Sequence, residues 1–369
     1  MNKKLLAAAV VAAVAASPAA FADSTVYGKL HTAIQYNDLE VPDGAGGKID
    51  RSNYSVESNA SRLGFKGSED LGNGLKAIYQ IEFGISSDGG LAQTNANTGP
   101  RTPINNARNT FVGLSGDWGT ALVGRHDTPM KMAFYASGNE LLGDSIIDLN
   151  AGQSLIGVFQ EVRASNAIAY VSPNFSGFTV VGAIIPGEEI ETPATGGPLP
   201  YSPLGKEARD GLADHWSVGA MYSGNGLKVS GGYEQLDNQA GGVSAKAANN
   251  DMKTWQVGGT YTWNNLQVGG EYQSTTDYGF QDNDDYDAWA ATGKYTMGNN
   301  AIMAVYTNST LNPDVGSDEK TWGWGLAGEH NLSKRSKVYA AYAYNKDDRP
   351  SGEKDLANSQ FSLGLIHNF

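Results

Sequence analysis

The chain has 369 residues, 47 of them glycine, with no cysteine and a formal net charge of −13. That acidity excludes wrapping nucleic acid, whose phosphates demand a basic surface. The missing cysteines exclude disulfides as the source of stability in an exported product.

The chain opens Met1-Asn2-Lys3-Lys4, continues through an apolar stretch from Leu5 to Ala16, and reaches Ala20-Phe21-Ala22 before Asp23. A basic start, a short apolar run and an A-x-A site form a secretory signal peptide, too short for a spanning helix. Residues 1–22 are therefore expected to be cleaved after export through the Sec pathway, leaving one domain over residues 23–369. Loss of Lys3 and Lys4 takes its charge from −13 to −15. No later apolar run approaches the roughly 18 residues of a membrane helix. Spanning β-strands need only about 9 to 11 residues with alternate ones apolar, so a polar average does not argue against them.

Periodicity decides the class, because a strand points successive side chains to opposite faces. Leu75, Ala77, Tyr79, Ile81 and Phe83 share one face of a segment whose other face is Lys76, Ile78, Gln80 and Glu82. The same alternation runs through Leu227 to Glu234 and through Leu266 to Gln273. Short turn signals follow, among them Asp70 to Gly74, Gly116 to Gly119, Gly224-Asn225-Gly226, Asn264-Asn265, Gly298 to Asn300 and Ser333 to Ser336. They alternate with long polar stretches near 37–52, 87–105, 127–162, 186–212, 237–251, 276–284, 310–319 and 348–355. Eight long loops and seven short turns join about sixteen strands, the asymmetry of an outer-membrane barrel. Tyr222, Tyr233, Tyr261, Tyr272, Tyr295, Tyr306 and Tyr342 recur near strand ends, as an interfacial aromatic girdle requires. The last strand carries Phe361, Leu363, Leu365 and Phe369 on one face and reads as the closing strand. The expected fold is all-β: a 16-stranded antiparallel transmembrane β-barrel in a cell outer membrane.

Five segments carry a family resemblance: Val26-Tyr27-Gly28-Lys29, Ser61-Arg62-Leu63-Gly64-Phe65-Lys66-Gly67, Arg108 to Leu114, Gly124-Arg125, and Tyr170-Val171-Ser172-Pro173. In that order they resemble the strand motifs of the general Gram-negative porins, and Phe369 resembles the family's C-terminal assembly signal. The resemblance covers residues 23–369. It implies a water-filled channel for passive diffusion of small hydrophilic solutes, normally a homotrimer, with the third long loop, 127–162, folded inward as a constriction. It also implies assembly by the outer-membrane barrel machinery and contact with lipid and lipopolysaccharide.

If Leu63 and Phe65 face lipid, Arg62, Gly64 and Lys66 face the lumen. The same parity turns Lys29, Lys76, Arg108 and Arg163 inward, because a cation facing hydrocarbon costs about 2–4 kcal/mol at the midplane. Arg125 shares parity with Ala121 and Val123 and faces the lumen only if the strand ends or bulges there. Against this basic wall the inward loop presents Glu140, Asp144 and Asp148. Opposed charges across a narrow aqueous throat create a transverse field, and an excess of wall cations favours anions. The alternative for each arginine is a pairing with a neighbouring carboxylate. For Asp144 and Asp148 it is a role in tethering the loop.

Other signals carry less. Gly323-Trp324-Gly325-Leu326-Ala327-Gly328 matches a dinucleotide fingerprint but lies within a period-two strand. Asp282, Asp284, Asp285 and Asp287 crowd one loop without the glycine of an EF-hand, and the five histidines show no metal-ligand spacing. No cofactor, metal or catalytic residue is expected. The competing readings are a porin selective for one anion or nutrient, a barrel enzyme acting on lipid, and an adhesin or structural anchor.

Overall fold

The computed structural model describes residues 23–44, 46–88, 104–187, 212–236, 251–281, 283–349 and 353–369. The expected leader and much of the loops expected at 87–105, 186–212 and 237–251 lie outside these residues. In hydrocarbon every unpaired peptide group costs several kcal/mol, so a sheet that spans a bilayer has to close on itself. This one does. Asp23–Pro42 pairs with Leu356–Asn368, from Lys29↔Asn368 to Asp38↔Ser359, and on its other edge with Lys48–Ser58 and Arg62–Gly72. Eighteen strand segments form the single sheet, all paired antiparallel, and apart from the first-to-last closure each pairing joins neighbours along the chain once the two interrupted strands are each counted as one. Two spanning strands are each interrupted once, Lys48–Ser58 before Arg62–Gly72 and Ile104–Ala107 before Thr110–Gly116, so sixteen strands make the wall.

One end of the barrel has tight turns. At Asn225-Gly226 both residues take positive φ, 51° and 78°, the left-handed pair that a two-residue hairpin needs and that Asn-Gly supplies. At the other end the strands run further than the polar composition suggests. The loop expected at 37–52 is a strand pair over most of that length, with register continuing to Pro42↔Lys48 and Lys48 ion-paired to Glu40. Alternation persists above the apolar band because antiparallel ladders do not require apolar side chains once they stand in water.

Outward-facing residues are apolar and exposed, among them Val26, Ile34, Val112, Ile168, Val257, Ile302 and Leu363. The expected tyrosines divide between two girdles. Near the long-loop end, Tyr233 lies opposite Trp255, Tyr272 opposite Trp289, Tyr306 opposite Trp324 and Tyr342 opposite Phe361. Diagonal contacts of 5.2, 5.3 and 5.4 Å between Trp255 and Tyr272, Trp289 and Tyr306, and Trp324 and Tyr342 join these pairs into a band. Tyr222, Tyr261 and Tyr295 stand near the short turns instead. Amphipathic rings at both levels match the two headgroup regions of a bilayer.

The seam between first and last strands explains two sequence motifs together. Gly28 N donates to Phe369 O at 3.0 Å, and Phe369 N donates to Gly28 O at 3.1 Å. The Phe369 ring lies on the bare Gly28 backbone, where an added Cβ would sit 2.3 Å from Cζ. Gly64 likewise makes room for the Tyr27 ring. Gly28→Val should therefore displace Phe369 and weaken the seam by about 1–3 kcal/mol, as overpacking does. Circular dichroism of the refolded barrel in detergent should show a lower unfolding midpoint, and an unchanged midpoint would refute the notch.

Candidate functional site: a constricted lumen

Between Asp127 and Arg163 the chain leaves the wall and turns into the barrel. It starts with the helix α1, Pro129–Ser137, whose N-cap Thr128 accepts from Lys131 N and whose first residue is proline. Gly138 ends it at φ 82°. The helix packs on the inner face of His215–Gly224, Leu227–Leu236 and Met252–Trp263, where Gly232 lets Met130 approach to within 2.9 Å of where a Cβ would stand.

After the helix the loop crosses to the opposite wall. Leu142, Ile146, Ile147, Leu149, Ile156, Val158 and Phe159 are buried against Ala288, Ala290, Ala301, Met303, Val305, Ala327, Ala341 and Ala343. At about 1.5–3 kcal/mol for each fully buried large side chain, this contact anchors the loop firmly. These wall positions face inward yet are small and apolar, so in their middle stretch, from Ala288 to Ala343, four consecutive strands carry apolar residues on both faces. That is the sequence mark of the loop's seat.

Polar latches fix the register. Asn139 is fully buried; its Nδ2 donates to Gly270 O at 2.8 Å and Glu271 Oε2 at 2.9 Å, and its Oδ1 accepts from Thr292 Oγ1 at 2.8 Å. Gln256 donates to Met130 O, Gln267 to Gly138 O and Tyr286 to Val158 O, at 2.8, 2.9 and 2.7 Å. Each satisfies a backbone carbonyl that has left the ladder.

The remaining lumen is a cavity of about 900 Å³ lined by Lys29, Arg62, Arg108, Arg163, Glu140, Asp144, Asp148 and Phe369, together with Tyr27, Glu82, Asp127, Lys131, Tyr135 and Lys337. Lys29 Nζ lies 2.7 Å from Asp144 Oδ2, and Arg62 NH1 lies 3.8 Å from the same oxygen. Arg108 Nε donates to Glu82 Oε1 at 2.6 Å, and Arg163 Nε to Asp127 Oδ1 at 2.9 Å. Lys131 bridges Glu161 at 3.1 Å and Asp127 at 3.6 Å. Arg62 and Arg108 follow directly on the two strand interruptions, and Asn166, three residues after Arg163, has φ 58°. Breaks of this kind re-aim side chains out of strict alternation.

Two of the residues expected at the constriction stand elsewhere. Lys76 is exposed beside the short turn, opposite Asp70 and Ser115, and does not line the cavity. Arg125 sits at the register shift between Gly124 and His126, donating to Ala107 O at 3.0 Å and Ser165 Oγ at 2.7 Å, also off the cavity lining. Glu140 and Asp148 reach the cavity but also build the loop: Glu140 Oε2 accepts from Leu149 N at 2.9 Å, and Asp148 Oδ1 from Asn150 N at 2.7 Å. Glu82 shares the inward parity of Gln80 and was legible as a lumen residue. Lys131, Tyr135 and Glu161 are not among the expected residues: Thr128-Pro129 and Gly138 are start and stop signals for the helix that aims the first two, but they lie within the stretch expected as a loop, and no local signal reports the bend that returns Glu161. Among the described residues no group of acids and histidines has the geometry of a metal site.

A closed transmembrane sheet filled by its own loop, with a charged aqueous gap left over, defines an outer-membrane β-barrel of the pore-forming class. A sequence model of the Gram-negative porins matches residues 7–350, and the chain belongs to that family, which places it in the outer membrane. An outer membrane porin protein of Bordetella pertussis is 27% identical over an alignment spanning the whole of both chains. The major outer membrane protein P.IB of Neisseria gonorrhoeae is 30% identical, over 61% of this chain and 55% of that protein. Among solved structures, the anion-selective porin from Comamonas acidovorans superposes with a TM-score of 0.68 at 22% identity, over 94% of this chain and all of that one. The trimer form of OmpT from Vibrio cholerae does so with a TM-score of 0.60 at 15% identity, over 94% of this chain and 99% of that one.

The loop acids do not titrate alike. Burial would raise the Asp144 carboxyl, but Lys29 and Arg62 outweigh it and hold the group below the usual carboxylate range. Burial pushes Glu140 and Asp148 up, and neighbouring carboxylates push both further. A raised folded-state pKa favours the neutral form, so its stabilising share is complete below about pH 4 and is lost as pH rises through the raised values. Hydrogen exchange at Leu149 and Asn150, corrected for the intrinsic rate, should show protection falling between about pH 5 and 8. Asp148→Asn, which removes the carboxyl that burial pushes up to about 7, should flatten that fall; equal pH dependence in the variant would refute the assignment.

Proposed function

We propose that the protein is a passive channel for small hydrophilic solutes and ions, mildly favouring anions, and not a catalyst. The observation that carries this reading is the charge balance of the cavity. Among the described residues, Lys29, Arg62, Arg108, Lys131, Arg163 and Lys337 line it against Glu82, Asp127, Glu140, Asp144 and Asp148. With Glu140 and Asp148 drawn toward their neutral forms, the cations prevail near neutral pH. Arg62 matters most among the wall arginines. Arg108 and Arg163 donate Nε to carboxylates, whereas the nearest ion-pair approach of Arg62 is 3.8 Å, so its field is the least cancelled. The Comamonas protein, an anion-selective porin by name, supports the preference, and the OmpT trimer supports a homotrimer. Outer-membrane lipid and lipopolysaccharide against the apolar belt, and assembly by the barrel machinery with Phe369 as its signal, belong to the same reading.

The test is single-channel conductance and reversal potential of the refolded protein in a planar bilayer under a salt gradient. Arg62→Ala should lower the anion-to-cation permeability ratio about fivefold, since a unit charge about 8 Å away in water is worth roughly 0.5 kcal/mol to each ion with opposite sign, and Arg108→Ala, whose charge Glu82 offsets, should lower it less. Conductance in threes is expected of the trimer. Absence of conductance would refute the channel and promote the anchor or enzyme; saturable flux blocked by one solute would promote a substrate-selective porin.

A further inference from the structure

Below the constriction, toward the short turns, three charged side chains project from neighbouring strands into the lumen. Lys294 shares its face with Thr292, which bonds the loop residue Asn139. Glu329 and Lys337 share theirs with Ala327 and with Tyr339 and Ala341, the inner wall against which the loop packs. Lys294 Nζ donates to Glu329 Oε1 and Lys337 Nζ to Glu329 Oε2, both at 2.9 Å.

We propose that Lys294, Glu329 and Lys337 form a second anion station, on the periplasmic side of the constriction, that receives small anions such as phosphate after they pass Arg62. The inference rests on the channel reading. The burial of the three groups is unequal: the Glu329 side chain is 3% exposed, those of Lys294 and Lys337 23% and 30%. The carboxylate therefore lies beneath two ammonium groups that face water. A bridge serving only to neutralise Glu329 needs one lysine. The second leaves the station at +1, and each ammonium, with one of three donors used, keeps donors for a passing anion.

Position makes the station continuous with the constriction. Lys337 lines the same cavity as Lys29, Arg62 and Arg108. It stands two residues from Tyr339, whose hydroxyl is 2.8 Å from His31 Nε2, and His31 stands two residues from Lys29. Only the last strand separates Lys337 from Lys29, a lateral step of about 10 Å at two strand spacings. That is close to a Debye length in physiological salt, so an anion leaving the first field enters the second. The short-turn end faces the periplasm in outer-membrane barrels, which makes the lumen's charge uneven along its axis.

The experiment measures block of chloride current by inorganic phosphate at pH 8, added to each side of the bilayer in turn, for the full barrel. The native channel should be blocked more strongly from one side. A triple variant, Lys294→Gln with Glu329→Gln and Lys337→Gln, leaves no buried unpaired charge; its block from that side should weaken about fivefold and the sidedness should vanish. If the triple variant does not fold, Lys337→Gln alone, which leaves Glu329 paired with Lys294, should show the same direction. Equal block from both sides of the native channel, or sidedness unchanged in a folded variant, would overturn the station while leaving the porin reading intact. A native protein that carries no current would overturn both.

Discussion

Everything in this structure follows from the need to pair backbone amides where no water can reach them. A single strand in hydrocarbon would leave both edges open, and any open edge costs several kcal/mol per group. The sheet removes the problem by joining Lys29–Asp38 to Ser359–Asn368. Once the wall is closed, alternation assigns each residue to lipid or lumen, and side-chain chemistry on one face is freed from that on the other. A chain of mean hydropathy −0.36 thereby spans a bilayer.

Closure also creates an interior that has to be filled. The loop from Thr128 to Val162 does so by meeting two unlike surfaces. On one side it finds alanines and glycines; at Gly325 an added Cβ would stand 2.5 Å from Ile147 Cγ2. On the other it meets Lys29 and Arg62 through the single carboxylate of Asp144. The apolar contact supplies most of the anchoring energy, and the ion pairs set the width and potential of the gap that remains.

Much of this was legible in the residues. Alternation from Leu75 to Phe83, the Asn-Gly turns and the spacing of long and short connections were enough for a sixteen-stranded barrel. Parity placed Lys29, Arg62 and Arg163 inside, and the long connection before Arg163 held the acids opposite them. Arg108, which shares the parity of outward Val112, is brought in by the break between Ala107 and Thr110, where the cost of a cation in lipid was the better guide. At Arg125 strict parity, shared with Ala121 and Val123, was the better guide: the ladder does shift at Gly124, yet the guanidinium stays off the cavity lining. Parity was blind to height along the barrel, so Lys76, correctly seen as unable to face lipid, stands near a turn. The loop's internal architecture was hidden for another reason. Asn139, Gln256, Gln267 and Tyr286 act across more than a hundred residues of chain, and no local pattern reports such partners.

The division of the inner wall into an apolar seat and a charged face has an evolutionary consequence. Substitutions at Arg62 or Arg108 alter the potential seen by a solute without touching Ala288, Ala327 or Ala341, on which the loop rests. Substitutions in the seat, conversely, move the whole obstruction. A lineage can therefore drift in what it admits by single charge changes while its aperture stays constant, whereas a change of aperture demands matched changes on four strands and the loop. Preference among solutes should diversify quickly, and pore size slowly.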